Sequence, residues 1–111
     1  MGKNTERINK LADKKKADKI VAFLKSKDKE TRLDAIRALG KCGGAEAINA
    51  LTTNIITPDE EEKIEVIKAL GVCGKDASFY LLSHYAAKET NPIVKDVMRE
   101  AMGQIRGRKE D

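Results

Sequence analysis

One stretch of this chain occurs three times. Arg32-Leu-Asp-Ala-Ile-Arg-Ala-Leu-Gly40-Lys-Cys42-Gly43 returns 31 residues later as Lys63-Ile-Glu-Val-Ile-Lys-Ala-Leu-Gly71-Val-Cys73-Gly74. It returns again after a further 32 residues as Lys95-Asp-Val97-Met98-Arg-Glu-Ala101-Met102-Gly103-Gln-Ile105-Arg106. A fixed period of this length marks a repeat architecture, in which each unit has an apolar face that only a stacked neighbour can cover.

The periodicity inside each copy is helical. Ala35, Ile36 and Leu39 share one face, Leu33 extends it, and charged residues fill the gaps. Val66, Ile67 and Leu70 repeat the pattern, as do Val97, Met98 and Met102. This is an amphipathic helix with one buried face. The start signals repeat too. Asp28, Asp59 and Asn91 stand four residues before Arg32, Lys63 and Lys95. Their side chains suit the N-cap, where they accept from free backbone N–H groups. Pro92 follows Asn91 at the first helical position, where a missing N–H costs nothing. Asp59 and Glu62 have capping-box spacing, and Glu60, Glu61 and Glu62 put negative charge at the positive end of the helix dipole.

A second helix separates the copies. Its stripe is Ala47, Ile48, Leu51 and Ile55, which becomes Ser78, Phe79, Leu82 and Ala86 one period on and Lys16, Ala17, Ile20 and Leu24 one period back. Gly43-Gly44 and Gly74 make the turns before it. Helices are predicted over 4–12, 14–26, 29–41, 45–56, 60–73, 76–88 and 92–106. The chain reads as one all-α domain over 1–106. The end, 107–111, has no apolar anchor and reads as a disordered tail. The first helix fits the pattern poorly, as a terminal cap that turns a polar side to water should.

The unit R-x-x-A-x-x-A-L-G-x-x-G, followed by A-V/I-x-x-L, resembles the HEAT-like repeats first named from phycobilisome lyases, over about residues 14–106. The resemblance implies a short right-handed α–α superhelix of about three helical hairpins plus a capping helix. It also implies that the first helix of each pair lies on the convex side and the second on the concave side. Proteins of that kind include scaffolds, adaptors, chromophore lyases, iron hydroxylases and DNA-repair enzymes, so function has to be argued from particular residues.

Several chemistries lack their residues. The iron hydroxylases of this repeat class use several His-Glu pairs, whereas this chain has a single histidine, His84. One His without clustered partners does not hold a metal. No nucleophile elbow is present, and Gly40-Lys-Cys-Gly43-Gly44 follows a helix and lacks the phosphate-loop pattern. Cys42 and Cys73 occupy equivalent positions that the third copy fills with Ile105, so they read as small core residues rather than ligands. Catalysis, a cofactor and a metal are therefore not expected. No apolar run approaches the roughly 20 residues of a membrane span, and Met1–Lys10 is polar, unlike a signal peptide. A cytoplasmic protein is the expectation.

The expected function is protein–protein interaction on the concave face. Second-helix positions off the apolar stripe are Asp18 and Ala22, Asn49 and Thr53, and Tyr80 and His84, each set 31 residues from the next. Asp18, Asn49, Thr53, Tyr80 and His84 are the candidate contact residues. Tyr80 and His84 are helix neighbours that pair an aromatic hydroxyl with an imidazole. Phe23 and Tyr85 occupy equivalent positions and read as packing residues, and Arg32, Lys63 and Lys95 as partners of acidic caps. The alternative is a nucleic-acid or other polyanion surface. Of the net charge of +4, residues 1–30 contribute +5, residues 31–74 −2 and residues 75–111 +1, and Lys14, Lys15, Lys16 and Lys19 concentrate the excess. Arginine and stacking aromatics, usual on such surfaces, are absent there. A lyase-like or accessory role toward a chromophore protein rests on the family resemblance alone.

Overall fold

The computed structural model describes residues 4–109. It contains helices α1 (Thr5–Asp13), α2 (Ala17–Val21), α3 (Lys29–Cys42), α4 (Gly44–Asn54), α5 (Glu60–Cys73), α6 (Asp76–Lys88) and α7 (Pro92–Lys109), with a 3-10 turn, Ala22–Lys25, continuing α2. No strand occurs among the described residues. The stack measures 36 × 32 × 20 Å, and the short dimension is that of two helix layers.

The first layer is α1, α3, α5 and α7, each packed along the next. It is close because its helices carry a notch. A methyl group on Gly40 would lie 3.0 Å from the Ala69 Cβ, and one on Gly71 would lie 3.1 Å from both the Cα and Cβ of Ala101. Glycine weakens a helix interior by about 1 kcal/mol relative to alanine. Here it lets two backbones approach and bury Leu39, Ile67, Leu70 and Met98 between them. The second layer is looser. α2 meets α4, and α6 leans on α7, but α4 and α6 do not run along each other. The first helices thus form the tight, inner layer of the stack and the second helices the looser, outer one.

Three matching junctions hold the units in register. Asp28 accepts from the Thr31 N–H at 3.1 Å, Asp59 from that of Glu62 at 2.9 Å, and Asn91 from that of Ile93 at 2.9 Å. Two residues before each cap, Ser26, Thr57 and Glu89 accept the cap's own N–H. The capping box at Asp59 is half-made, because the Glu62 carboxylate turns to Arg32 of the preceding unit. Lys63 pairs with Glu89 at 3.7 Å. The cap itself is met by Lys29, whose Nζ lies 2.9 Å from both Asp59 and Glu61. Arg32, the expected partner of a cap, therefore serves its neighbour three residues on.

The first and last connections depart from expectation. A helix is predicted from 14, but Lys14–Lys16 form a turn in which Lys15 adopts φ 58. The Lys15 Nζ, 3.4 and 3.3 Å from the carbonyls of Lys41 and Cys42, caps the end of α3. α7 runs to Lys109, past 106, so the described part of the expected tail is helical; residues 110 and 111 lie outside the described residues. The anchor is polar. Arg108 donates to the carbonyls of Gly71 and Gly74 at 2.6 and 2.8 Å, capping α5 as Lys15 caps α3. Orphan C-terminal carbonyls and the negative end of the dipole favour a cation at both places.

Two predictions follow from these contacts. Gly40→Ala lowers the melting temperature despite its better helix propensity, because Ala69 cannot retreat. Gly103→Ala, at the equivalent place on α7 where nothing lies within 4 Å, raises stability by up to about 1 kcal/mol; calorimetry of both variants checks the contrast. The second concerns acid. The Glu62 N–H and then Lys29 hold the Asp59 carboxyl below its usual range, while Glu61 and Asp59 hold the Lys29 ammonium above its own. The Asp59 contribution is full above the unfolded carboxylate pKa and is lost as pH falls through the depressed folded value. That of Lys29 is full at neutral pH and lost only as pH rises through its raised folded value. The urea midpoint of Asp59→Asn therefore lies below the wild type's at about pH 7 and approaches it by about pH 3.

Candidate functional site

The candidate contact residues sit on the outer layer, and all five are exposed. α6 brings two of them together. Tyr80 is 69% exposed, and His84 follows one turn later on the same face. Behind Tyr80 stands a built support. The Phe79 ring meets the Tyr80 ring edge-on, with centroids 5.6 Å apart. The Arg106 guanidinium of α7 lies 4.4 Å from the centre of the Phe79 ring. Asp76, Phe79, Tyr80, Ile105 and Arg106 together line a small cleft between α6 and α7. His84 meets Tyr85 in the same edge-on manner, with centroids 5.4 Å apart.

Asn49, Thr53 and Asp18 do not join this cleft. α4 and α6 are splayed apart, so Asn49 and Thr53 are separated from Tyr80 and His84 rather than forming adjacent rungs with them. The Thr53 hydroxyl also donates to the Asn49 carbonyl at 3.0 Å, within α4. Arg106 and Phe79 complete the site and were not among the candidate residues. Phe79 could be read only as a stripe residue, and Arg106 only as the last residue of the third copy.

The lysine cluster is divided. Lys14, Lys15, Lys16 and Lys19 are all exposed, but the Lys15 ammonium is held on the end of α3.

The two cysteines differ. Cys42 is buried, but Cys73 is only half-buried. At Cys42 the next unit closes the gap, since a methyl on Gly43 would lie 3.8 Å from the Cys73 Cβ. At Cys73 the covering position is Ile105, and a shallow cavity of about 510 Å³ remains, lined also by Lys75, Ala77 and Arg108. The expectation of two matching interior thiols is correct for Cys42 alone. Burial pushes the Cys73 thiol up, with Arg108 opposing. No group of three or more His, Cys, Asp or Glu converges among the described residues, and none of their helices is long and apolar enough to cross a membrane.

Paired helices, a repeated notch and ladders linking each unit to the next define a solenoid of helical repeats. A family model of HEAT repeats matches residues 17–103. The chain belongs to the HEAT-repeat family. No curated protein matches it.

Alkylation checks the asymmetry of the thiols. In the folded protein Cys73 reacts first and Cys42 waits for unfolding. The Cys73 rate keeps climbing with pH beyond the range of a free thiol, because the thiolate is the nucleophile and its formation is delayed. Equal rates at the two sites, read by peptide mass spectrometry, contradict this arrangement.

Proposed function

We propose that the chain is a non-catalytic protein-interaction module whose principal contact surface is the α6–α7 cleft around Tyr80 and His84. One observation carries the reading. Tyr80 stands 69% exposed in a helix whose other large apolar side chains are buried or half-buried, and it is backed by Phe79, which Arg106 covers. A rigid, supported tyrosine beside an arginine is the composition that dominates binding energy in protein interfaces. Tyrosine also offers contact area at little entropic cost and a hydroxyl for a partner's backbone. HEAT repeats commonly serve as interaction scaffolds, which agrees with this use. Asp18, Asn49 and Thr53 extend the outer layer as secondary contacts.

Polyanion binding through Lys14, Lys15, Lys16 and Lys19 is the weaker reading, because Lys15 caps α3 and no exposed aromatic accompanies the rest. A cytoplasmic setting suits the reading and belongs with it.

The double variant Tyr80→Ala/His84→Ala tests the proposal. Both residues are exposed, so helical circular dichroism stays unchanged and stability moves by less than about 0.5 kcal/mol. Proteins retained from native extract by the wild-type chain are lost by the variant, with at least about a tenfold fall in affinity for each purified one. Equal retention by both chains ends the proposal.

A further inference from the structure

The repeat offers an internal control for the inner face, and at α5–α7 the chain departs from it. On the previous rung, Arg37 of α3 reaches Glu65 of α5 at 3.2 Å, with Asp34 of its own helix 3.6 Å away. One unit later Lys68 takes the place of Arg37, but Val97 takes that of Glu65. Lys68 is exposed and forms no ion pair among the described residues. Val72 stands where α3 has Lys41, and Ile93 where α3 and α5 have Glu30 and Glu61. Three positions charged elsewhere in the repeat have thus become aliphatic, two of them, Val72 and Val97, in one groove. Val72 and Ile93 are left 57% and 66% exposed. Between the helices lies a groove of about 210 Å³, lined by Lys68, Val72, Val97, Glu100, Ala101 and Gln104. Exposed aliphatics gathered around a groove mark an interaction surface.

We propose that this groove is the two-fold interface of a homodimer, with a second copy of the chain as its occupant. The charges select the occupant. Lys68 and Glu100 are equivalent residues of successive units, so they stand at the same height on parallel helices, one on each wall. A two-fold axis parallel to α5 and α7 lays α5 of each copy over α7 of the other. Lys68 then faces Glu100 of the second copy, twice over, while Val72, Val97 and Ile93 close around the axis. An interface of this isologous kind is complementary to itself, and its paired charges fix the register. It spans two helices of each copy, which places it among the small, transient interfaces. The outer face, with Tyr80 and His84, stays free. The two proposals therefore stand or fall separately.

Sedimentation velocity from about 1 µM to about 1 mM is the measurement. The wild type passes from monomer toward dimer within that range. Lys68→Glu and Glu100→Lys each weaken association by at least about tenfold, since each sets like charges against one another twice. An equimolar mixture of the two variants associates again, as a heterodimer, because both positions then face opposite charges, one pair with its sign reversed and the other as in the wild type. That recovery also shows that each variant is folded. A wild type monomeric throughout, a dimer that neither substitution weakens, or variants whose mixture stays monomeric each overturns the proposal. Tyr80→Ala/His84→Ala dimerises as the wild type does.

Discussion

Everything else in the stack depends on the close approach of successive first helices at Gly40 and Ala69, then at Gly71 and Ala101. A bulkier side chain at either glycine would push the helices apart and lengthen every contact between units. The ion pairs lie on the same seam. Lys29 spans to Asp59 and Glu61, and Arg32 to Glu62, only because the backbones beside them are near. The Lys29 pairs, on the more exposed side of the seam, contribute little individually, whereas Glu62 of the Arg32 pair is buried. Their effect is to choose one register among the several that a smooth apolar stripe would allow.

The same notch sets the shape. Spacing is tight in the layer that carries the notch and loose in the other. α6 therefore leans on α7 rather than α4, and the supported Tyr80 falls at the end of the array. The surface chemistry divides accordingly: an aromatic and arginine cleft on the outer layer, an aliphatic groove with one charge on each wall on the inner.

Much of this was legible in the residues, and the rest failed for identifiable reasons. The repeat, its period and its N-caps could be read because they depend on local spacing and on side chains that bond within three residues. Cys42 could be read because an apolar replacement in another copy identifies a core position. Lys15 could not: nothing in a lysine run signals a left-handed turn, and its partners lie 26 and 27 residues away. Arg108 was hidden in the same way, in a polar end whose anchor is two distant carbonyls rather than an apolar contact. How far the helices of each layer stand apart is a distance that no single stripe encodes. The candidate contact residues share one limitation. A 31-residue offset puts Asn49 and Tyr80 at equivalent positions, but equivalence becomes adjacency only where the helices actually pack.

Each unit reaches forward. The cations near the start of α3 find their carboxylates in α5, and Lys63 of α5 finds Glu89 just before α7. Such a ladder makes the array modular in the engineer's sense. A whole 31-residue block copied in between α3 and α5 would arrive with an acid for the cation behind it and a cation for the acid ahead. The chain itself continues the ladder over one period of 31 residues and one of 32, so the ladder confines growth of this scaffold to blocks close to that length.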